Sequence, residues 1–447
     1  MVICETMIFK KFSVQSVSTR HPRPHAGSLM ARIAAIALTA LVFGCASNGR
    51  DEPSPELVSS GWSGAPTLAP VADFDTYVLD ITQELRVHRV PFDRSKADAE
   101  LSVVAPLRIR PDTGCRAESP RGIAVLIHGL SDTAFAMRDL AQSLSKQCFE
   151  ARVLLLPGHG TRPADLLVVD HKDWLAHVQA AVVRARRESD FVVLAGFSLG
   201  AALALTVAAE SPDHVDAVIG VSPAYRLRSN TLARQARWVA TIRPWLDLGG
   251  RDDFARYGAL PTRGIASTMA VISLMDARMR SNGTFGTPWF FVQSEDDEVI
   301  DVAANRRFFD ANAGHPRSRV VNYFSRQPKA MSGDREVWLP AADTTMRVVG
   351  LSHLALHISP QNAHYGLSGS YRNCGRPPLR REDEVEACRQ ARYVWYGVGG
   401  QSPPAGEAGA RATFNPHYPD LERRIGEFLN GIDGRDRTDV AFQQSGP

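Results

Sequence analysis

The sequence predicts an α/β fold in which a mostly parallel, doubly wound sheet is covered by helices on both faces. Short segments that are apolar on both faces recur from residue 121 onward: GIAVLIHG, ARVLLLPG, FVVLAG, VDAVIGVS, TPWFFVQS and TTMRVVG. Other segments between them have apolar residues every three and four positions, as in AMRDLAQSLSKQ and DWLAHVQAAVVRARR. That spacing is typical of the helices that connect parallel strands.

The core is predicted to comprise residues 71–222 and 287–434. At its start, FDTYVLDITQELRVHRV alternates apolar and polar residues, which predicts one or two antiparallel edge strands. Two segments interrupt the core. Residues 223–286 are largely helical in pattern and are expected to cover the carboxyl ends of the strands as a cap, whereas residues 359–416 are polar and rich in Gly and Pro, as in a surface excursion.

The N-terminal segment resembles an export signal. In the stretch from Met30 to Cys45, one basic residue, Arg32, precedes an apolar run from Ile33 to Phe43. This run is shorter than the roughly 20 apolar residues that a membrane-spanning helix needs. We therefore expect residues 1–45 to be a signal peptide, either with a long basic start or with Met30 as the true first residue.

The end of this segment, LVFGC, resembles the cleavage site of bacterial lipoproteins, in which the cysteine is lipidated. That similarity makes Cys45 the candidate lipid attachment site, with ordinary cleavage near Ala46 or Ser47 as the alternative. Residues 46–70 are rich in Ser, Gly and Pro and are expected to form a flexible tether. With lipidation, we expect the protein to be exported and anchored to a membrane of the bacterial cell envelope, in the periplasm or at the outer membrane. Residues 435–447 are expected to be a disordered tail.

Composition narrows the possible functions. The chain has 447 residues, of which 44% are hydrophobic and 22% charged, as in a folded globular protein. A net charge of +3 gives no electrostatic reason to expect nucleic acid as a partner. The sequence contains neither an HExxH pattern nor the paired-cysteine spacing of zinc sites, so we expect no metal and no other cofactor.

Four cysteines remain if Cys4 is removed and Cys45 is lipidated: Cys115, Cys148, Cys374 and Cys388. Four cysteines allow three pairings. Proximity in sequence favours one disulfide between the first two and another between the last two. The alternative is that all four are unpaired.

The segment GFSLG, residues 196–200, has the GxSxG pattern of a nucleophile elbow. It follows a strand-like run and precedes the helical run AALALTVAAE. In such an elbow the serine stands on a strained turn at the end of a buried strand, so the residues two before and two after must be small. Ser198 is therefore the candidate nucleophile.

Four motifs in this order resemble an α/β-hydrolase of the carboxylesterase and monoacylglycerol lipase type: LIHGLSD, LLPGHGTRP, GFSLGAALA and VQSEDDEVID. The similarity extends over roughly residues 120–357. It implies an α/β-hydrolase fold with a helical cap inserted after the sixth strand. It also implies a catalytic triad in the chain order Ser, Asp or Glu, then His.

The triad is completed by an imidazole that accepts the serine proton and an acid that orients it. His353 is the preferred base because it follows the predicted strand TTMRVVG, and His357 is the alternative. The resemblance places the acid at Asp297, with Asp296 as the alternative. The 56 residues from Asp297 to His353 exceed the interval usual for the family. An insertion that includes RVVNYFSRQ and EVWLP is expected to account for the excess.

The same resemblance assigns the oxyanion hole to the backbone N–H groups of Leu130 and Leu199. His128 and His159 lie in the turns HG and PGHG and are interpreted as structural. The sequence thus indicates a serine hydrolase that cleaves small-molecule or lipid esters. One alternative is an aminopeptidase with the same fold, whose cap acids Asp247, Asp252 and Asp253 are available to bind a substrate amine. The other is a non-catalytic surface lipoprotein that binds a partner.

Overall fold

The computed structural model describes residues 54–64, 73–115, 120–228, 243–282, 285–327, 333–375, 380–398 and 403–433. The predicted signal segment with Met30 and Cys45, most of the tether, and the tail lie outside these ranges. All of the described residues belong to one compact unit. None of the helices within them has the length and apolarity needed to cross a membrane.

The described strands are β1 Leu107–Ile109, β2 Gly122–Ile127, β3 Phe149–Val153, β4 Val192–Phe197, β5 Ala217–Val221, β6 Trp245–Asp247, β7 Leu260–Pro261, β8 Trp289–Ser294, β9 Arg319–Phe324, β10 Glu336–Pro340, β11 Trp395–Gly397 and β12 Gly409–Arg411. Eight of them form the central sheet in the order β1-β3-β2-β4-β5-β8-β9-β10. Only β1 is antiparallel to its neighbour within this sheet. The prediction of a mostly parallel sheet is confirmed.

The described α-helices are α1 Phe74–His88, α2 Ala97–Val104, α3 Arg138–Lys146, α4 His171–Glu188, α5 Leu199–Glu210, α6 Thr262–Asn282, α7 Val302–Asn312, α8 Glu382–Gln390 and α9 Tyr418–Asp433. Alternate residues of the strands face two separate apolar cores. On β2, Ile123 and Val125 face the core that contains α1, α4, α5 and α6, whereas Ala124 and Leu126 face the core that contains α3 and α9. Helices therefore cover both faces of the sheet, as predicted.

The prediction of edge strands at residues 74–90 is wrong, because this segment forms α1. Its buried residues Phe74, Tyr77, Ile81 and Leu85 are spaced by three and four positions and share one helical face. The side chain of Asp73 caps the helix by accepting a hydrogen bond from the Thr76 N–H at 2.9 Å. The strand count is therefore lower, and the cap segment follows the fifth strand of the sheet rather than the sixth.

The end of the sheet also differs from the prediction. RVVNYFSRQ and EVWLP, which we expected in an insertion, contain β9 and β10, and these continue the sheet in parallel. TTMRVVG, residues 344–350, forms a turn instead of a strand, with isolated bridges from Val348 to Asp343 and to Tyr396. The long interval between Asp297 and His353 is thus part of the core itself, and His353 lies in the turn that follows.

Residues 359–416 are not a simple surface excursion. They contain α8 and the small parallel pair β11 and β12, and they place a set of side chains in the second core: Tyr365, Cys374, Val385, Cys388, Tyr396 and Phe414. One disulfide, with an S–S distance of 2.14 Å, joins Cys374 to Cys388 within this segment. The other, with an S–S distance of 2.04 Å, joins Cys115 to Cys148.

Within the cap segment, the described residues form the antiparallel pair β6 and β7, an irregular stretch between them, and the long helix α6. Helix α6 packs against α5, with Val271 and Met275 fully buried. Part of the predicted helical pattern, including Trp238, lies outside the described residues.

Candidate active site

Ser198 stands on a strained turn between β4 and α5. Its backbone has φ +54° and ψ −113°, a conformation that residues with a side chain rarely adopt. Gly196 and Gly200 allow this turn to pack tightly. A Cβ on Gly196 would lie 2.3 Å from the Gly200 carbonyl, and a Cβ on Gly200 would lie 2.1 Å from the Ile127 oxygen.

His353 and Asp297 line up behind this serine. The Nε2 atom of His353 lies 3.0 Å from the Ser198 Oγ, and its Nδ1 atom lies 2.7 Å from the Asp297 Oδ2. The exposed fractions are 5% for His353 and 0% for Asp297, so the carboxylate and most of the imidazole are shielded from water. This is the geometry in which an imidazole can accept the serine proton while a carboxylate orients it.

Asp297 is held as an anion by its hydrogen bonds. Its Oδ1 accepts from the N–H groups of Val299 and Ile300, at 2.8 and 2.9 Å. Burial pushes the pKa of Asp297 upward, but His353 and these two N–H groups outweigh that effect and hold the pKa below its usual value. The remaining oxygen is therefore free to orient His353.

The alternative residues are placed elsewhere. The Asp296 carboxylate accepts a hydrogen bond from Ser325, and burial raises the pKa of Asp296. His357 is buried with its ring centroid 4.3 Å from that of Phe197, and burial lowers its pKa to about 3. The structure thus brings together Ser198, Asp297 and His353, whereas neither alternative takes part in that hydrogen-bonded chain.

His353 has a further contact that the sequence analysis missed. Its backbone N–H donates to the Glu298 Oε2 at 3.2 Å, and Glu298 is ion-paired with Arg411 on β12. Glu298 directly follows Asp297 in the sequence, so its closeness to the candidate triad could be predicted. No local pattern, however, links it to an arginine more than a hundred residues away.

Leu199 directly follows Ser198, and the residue before Leu130, Gly129, packs against Phe197, since a Cβ on Gly129 would lie 3.0 Å from the Phe197 ring. Helix α5 begins at Leu199, so the N–H of Leu199 is one of the first four that lack an acceptor within the helix. Leu130 follows Gly129 in the loop after β2. A Cβ on Gly129 would come within 2.6 Å of the Asp132 Oδ2. Because the sequence analysis predicts the Leu130 N–H as an oxyanion donor, we call residues 129–133 the oxyanion loop.

His128 supports the start of this loop. Its Nε2 accepts from the Leu156 N–H at 3.0 Å, so its Nδ1 carries the proton and donates to the Gly129 oxygen at 2.8 Å. Burial lowers the pKa of His128 to about 4 and that of His159 to about 3. Both imidazoles are therefore neutral near pH 7, as expected for structural residues.

A short piece of the cap segment, residues 253–257, lies against the oxyanion loop, and we call it the clamp. The Arg256 Nε lies 2.6 Å from the Asp132 Oδ1. The Tyr257 N–H donates to the Ser131 oxygen at 2.8 Å, and the Thr133 hydroxyl donates to the Ala255 oxygen at 3.0 Å. The sequence analysis did not identify this contact, since it joins segments more than a hundred residues apart.

The cap acids that the aminopeptidase alternative needs have different environments. Asp247 and Asp252 are exposed. Asp253 is buried, and its carboxylate accepts hydrogen bonds from the Ala255 N–H at 2.9 Å, the His364 Nε2 at 2.9 Å and the Tyr365 hydroxyl at 2.6 Å. Asp253 is thus engaged by the protein itself.

Residues 54–64 form a strap over the loop that follows β3. The strap is held by Asp165, which is fully buried. The Asp165 Oδ1 accepts from the Ser59 hydroxyl at 2.8 Å and from the Ser60 N–H at 2.7 Å, and its Oδ2 accepts from the Ser60 hydroxyl at 2.9 Å. Part of the predicted tether is therefore packed against the fold rather than free.

The described residues contain no group of three or more His, Cys, Asp or Glu side chains that could hold a metal ion. The assignment of the Leu130 and Leu199 N–H groups to an oxyanion hole stays a prediction.

Comparison with known proteins shows what this chain is similar to. Residues 118–261 match the protein family described as Serine aminopeptidase, S33. The thermostable monoacylglycerol lipase of Bacillus sp. (strain H-257) is 30% identical over 104 residues, which is 23% of this chain and 40% of that protein. The match thus spans less than half the length of this relative.

Solved structures of similar proteins include lipolytic enzymes. One is from a study of LipS and LipT, two metagenome-derived lipolytic enzymes, with 20% identity and a TM-score of 0.43 over 49% of this chain and 87% of that one. Another is a soluble variant of monoglyceride lipase from Saccharomyces cerevisiae, with 17% identity and a TM-score of 0.42 over 52% and 85% of the two chains.

Proposed function

We propose that this α/β-hydrolase is a serine hydrolase that cleaves carboxylic esters, with Ser198 as nucleophile, His353 as general base and acid, and Asp297 as the orienting carboxylate. The observation that carries the proposal is the continuous chain of contacts at 3.0 and 2.7 Å from the Ser198 Oγ through His353 to Asp297. A serine hydroxyl is a weak nucleophile near pH 7 until a neighbouring base accepts its proton.

In the first half of the reaction, the Ser198 Oγ attacks the ester carbonyl carbon as its proton moves to the His353 Nε2. The carbonyl oxygen of the tetrahedral intermediate becomes an anion, which the N–H groups of Leu130 and Leu199 stabilise. His353 then donates its proton to the leaving alkoxide oxygen. The C–O bond of the ester breaks, the alcohol departs, and the acyl group stays on Ser198.

In the second half, His353 takes a proton from water, and the hydroxide attacks the acyl carbon. His353 returns the proton to the Ser198 oxygen, which releases the carboxylic acid. Throughout, Asp297 keeps the Nδ1 proton of His353 in place and stabilises the imidazolium. We include acylglycerols among the proposed ester substrates, because the relative from Bacillus is described as a monoacylglycerol lipase.

Hydrolysis of p-nitrophenyl esters, from acetate to palmitate, tests the proposal with the full chain and its Ser198→Ala variant. We expect turnover that depends on Ser198, and the preferred chain length will measure the acyl pocket. If the folded wild-type protein hydrolyses no ester and is not labelled by a fluorophosphonate, the hydrolase proposal fails and a partner-binding lipoprotein takes its place.

A second candidate is an aminopeptidase, which is favoured by the description of the matching family. Amino-acid p-nitroanilides, assayed beside the esters, separate the two. Preference for a free α-amino group in the substrate would support the aminopeptidase. With Asp253 engaged by His364 and Tyr365, Asp247 and Asp252 would be the cap acids left to bind that amine.

We also propose that the protein is exported and anchored to a bacterial membrane through a lipid on Cys45. The two disulfides support export, because such bonds persist mainly in oxidising compartments. The Cys45→Ala variant should move from the membrane to the soluble fraction on cell fractionation. Membrane retention of that variant would contradict the proposed anchor.

A further inference from the structure

We infer that the clamp, residues 253–257, positions the oxyanion loop, and that the segment 359–416 holds the clamp in place through Asp253. The inference deepens the proposed function and rests on it. The residues involved do not touch the reacting atoms, so they act as positioning residues.

The clamp contacts the oxyanion loop at three consecutive residues. Asp132 is 2% exposed, and burial raises its pKa, so its charged form depends on the nearby guanidinium of Arg256. The other two contacts involve backbone atoms, one at the Ser131 oxygen and one at the Ala255 oxygen that Thr133 reaches. A shift of the clamp therefore moves the loop backbone itself, including the N–H of Leu130.

The backbone of Ser131 is strained, with φ +67°. Such a conformation is energetically unfavourable and persists only when its surroundings enforce it. The hydrogen bond from the Tyr257 N–H to the Ser131 oxygen, 2.8 Å long, is one of those constraints. Because Ser131 directly follows Leu130, relaxation of this strain would rotate the peptide unit between them and, through it, shift the Leu130 N–H.

Asp253 fixes the shape of the clamp. Its carboxylate caps the Ala255 N–H and is held from the other side by His364 and Tyr365, which belong to the segment 359–416. The His364 Nδ1 lies 2.9 Å from the Ser370 Oγ, which orients the ring. The ring of Phe254 packs on His364 with centroids 4.2 Å apart. Contacts from this distant segment thus hold one end of the clamp, and hydrogen bonds from Arg89 to the Phe254 oxygen and from the Tyr257 hydroxyl to the Gly158 oxygen hold it elsewhere.

The test compares the wild-type full chain with Asp253→Asn and Tyr365→Phe. Asp213→Asn is the control, because Asp213 is exposed and lies outside the cap segment. We would measure kcat and KM with a p-nitrophenyl ester, with rates expressed per active site titrated by a fluorophosphonate. We would also measure the affinity for an alkyl trifluoromethyl ketone, which forms an oxyanion on reaction with the serine.

A displaced oxyanion donor weakens the transition state more than the ground state, and loss of one donor costs about 100-fold to 1,000-fold in rate. For Asp253→Asn, where the donor shifts but is not lost, we expect kcat to fall at least about tenfold, with KM changed less than about threefold. Affinity for the ketone should fall in parallel with kcat. Tyr365→Phe should show the same pattern with a smaller effect, and Asp213→Asn should match the wild type.

Unchanged kcat and ketone affinity per active site in both variants would overturn the inference, as would a rise in KM alone. If Asp253→Asn does not fold, Tyr365→Phe decides, since it removes one hydroxyl and keeps the ring. A wild-type protein that neither hydrolyses esters nor reacts with the fluorophosphonate would instead refute the proposed function, so the two failures are distinguishable.

Discussion

Replacing Asp297 by Asn tests the orientation of His353 directly. The Asp297 Oδ1 accepts two backbone N–H groups, from Val299 and Ile300, so the single oxygen of an asparagine amide is drawn to that side. Its NH2 group then faces the His353 Nδ1. That nitrogen must become an acceptor, which places the imidazole proton on Nε2, the atom 3.0 Å from the Ser198 Oγ. An imidazole in this tautomer cannot accept the serine proton.

The loss follows from this single change of tautomer. The substitution preserves size and packing, so substrate binding and the oxyanion donors are retained. In serine hydrolysis an acid-to-amide change of this kind lowers kcat about 10⁴-fold, which corresponds to about 5 kcal/mol of transition-state stabilisation. We expect KM to stay within about threefold of the wild-type value, because the ground state is not affected.

Steady-state kinetics with the best p-nitrophenyl ester would measure the effect, with circular dichroism to verify folding. Asp296→Asn is the matched control, since Asp296 contacts Ser325 rather than His353. A loss below about tenfold in folded Asp297→Asn would refute the tautomer argument. A larger loss in Asp296→Asn than in Asp297→Asn would reverse the assignment of the acid.

Three further predictions concern stability. Burial lowers the pKa of four histidines to about 3 or 4, against about 6.5 in the unfolded chain: His128, His159, His177 and His357. These imidazoles are neutral in the fold, so the free energy of unfolding falls by about 1.4 kcal/mol per pH unit for each of them as the pH drops below about 6.5. We therefore expect unfolding near pH 5 by circular dichroism, and a protein still folded at pH 4 would contradict this. Replacing Cys374 and Cys388 by Ala opens a loop of 14 residues and should lower the free energy of unfolding, measured in urea, by about 3 kcal/mol. Equal urea midpoints for this variant and the wild type would argue against the prediction. Asp165→Asn weakens the buried hydrogen bonds that hold the strap, so it should lower the free energy of unfolding by about 3 kcal/mol and speed proteolysis of residues 54–64. Asp213→Asn, at an exposed position, should change neither the stability nor the rate of proteolysis.

The candidate nucleophile and its strained turn could be predicted from sequence because the requirements of such a turn are local. The positions two residues before and two residues after Ser198 have no room for a side chain, and Gly196 and Gly200 occupy them. The buried strand β4 precedes Ser198, and helix α5 follows it. The acid was assigned through the order of motifs along the chain. Both depend on short segments whose residue types are restricted by steric contact.

The segments that were wrongly predicted lack such a restriction. The apolar residues of FDTYVLDITQELRVHRV fit both the alternation of a strand and the three-and-four spacing of a helix. One face packs against the core and selects the helix; its buried residues are Phe74, Tyr77, Ile81 and Leu85. TTMRVVG has strand-like composition, but β9 and β10 already complete that edge of the sheet. Tertiary packing, which a local window does not contain, decided both cases.

The segment 359–416 shows the same limit most clearly, because its polar, Gly-rich and Pro-rich sequence indicates a surface loop. In the structure it reaches the candidate site from two sides. Arg411 pairs with Glu298, which accepts the backbone N–H of His353, and His364 and Tyr365 bind Asp253 in the clamp. One contact holds the proposed base, and the other holds the clamp against the oxyanion loop. Because the segment contacts both halves of the proposed machinery, we expect it to affect activity, which its composition alone does not indicate.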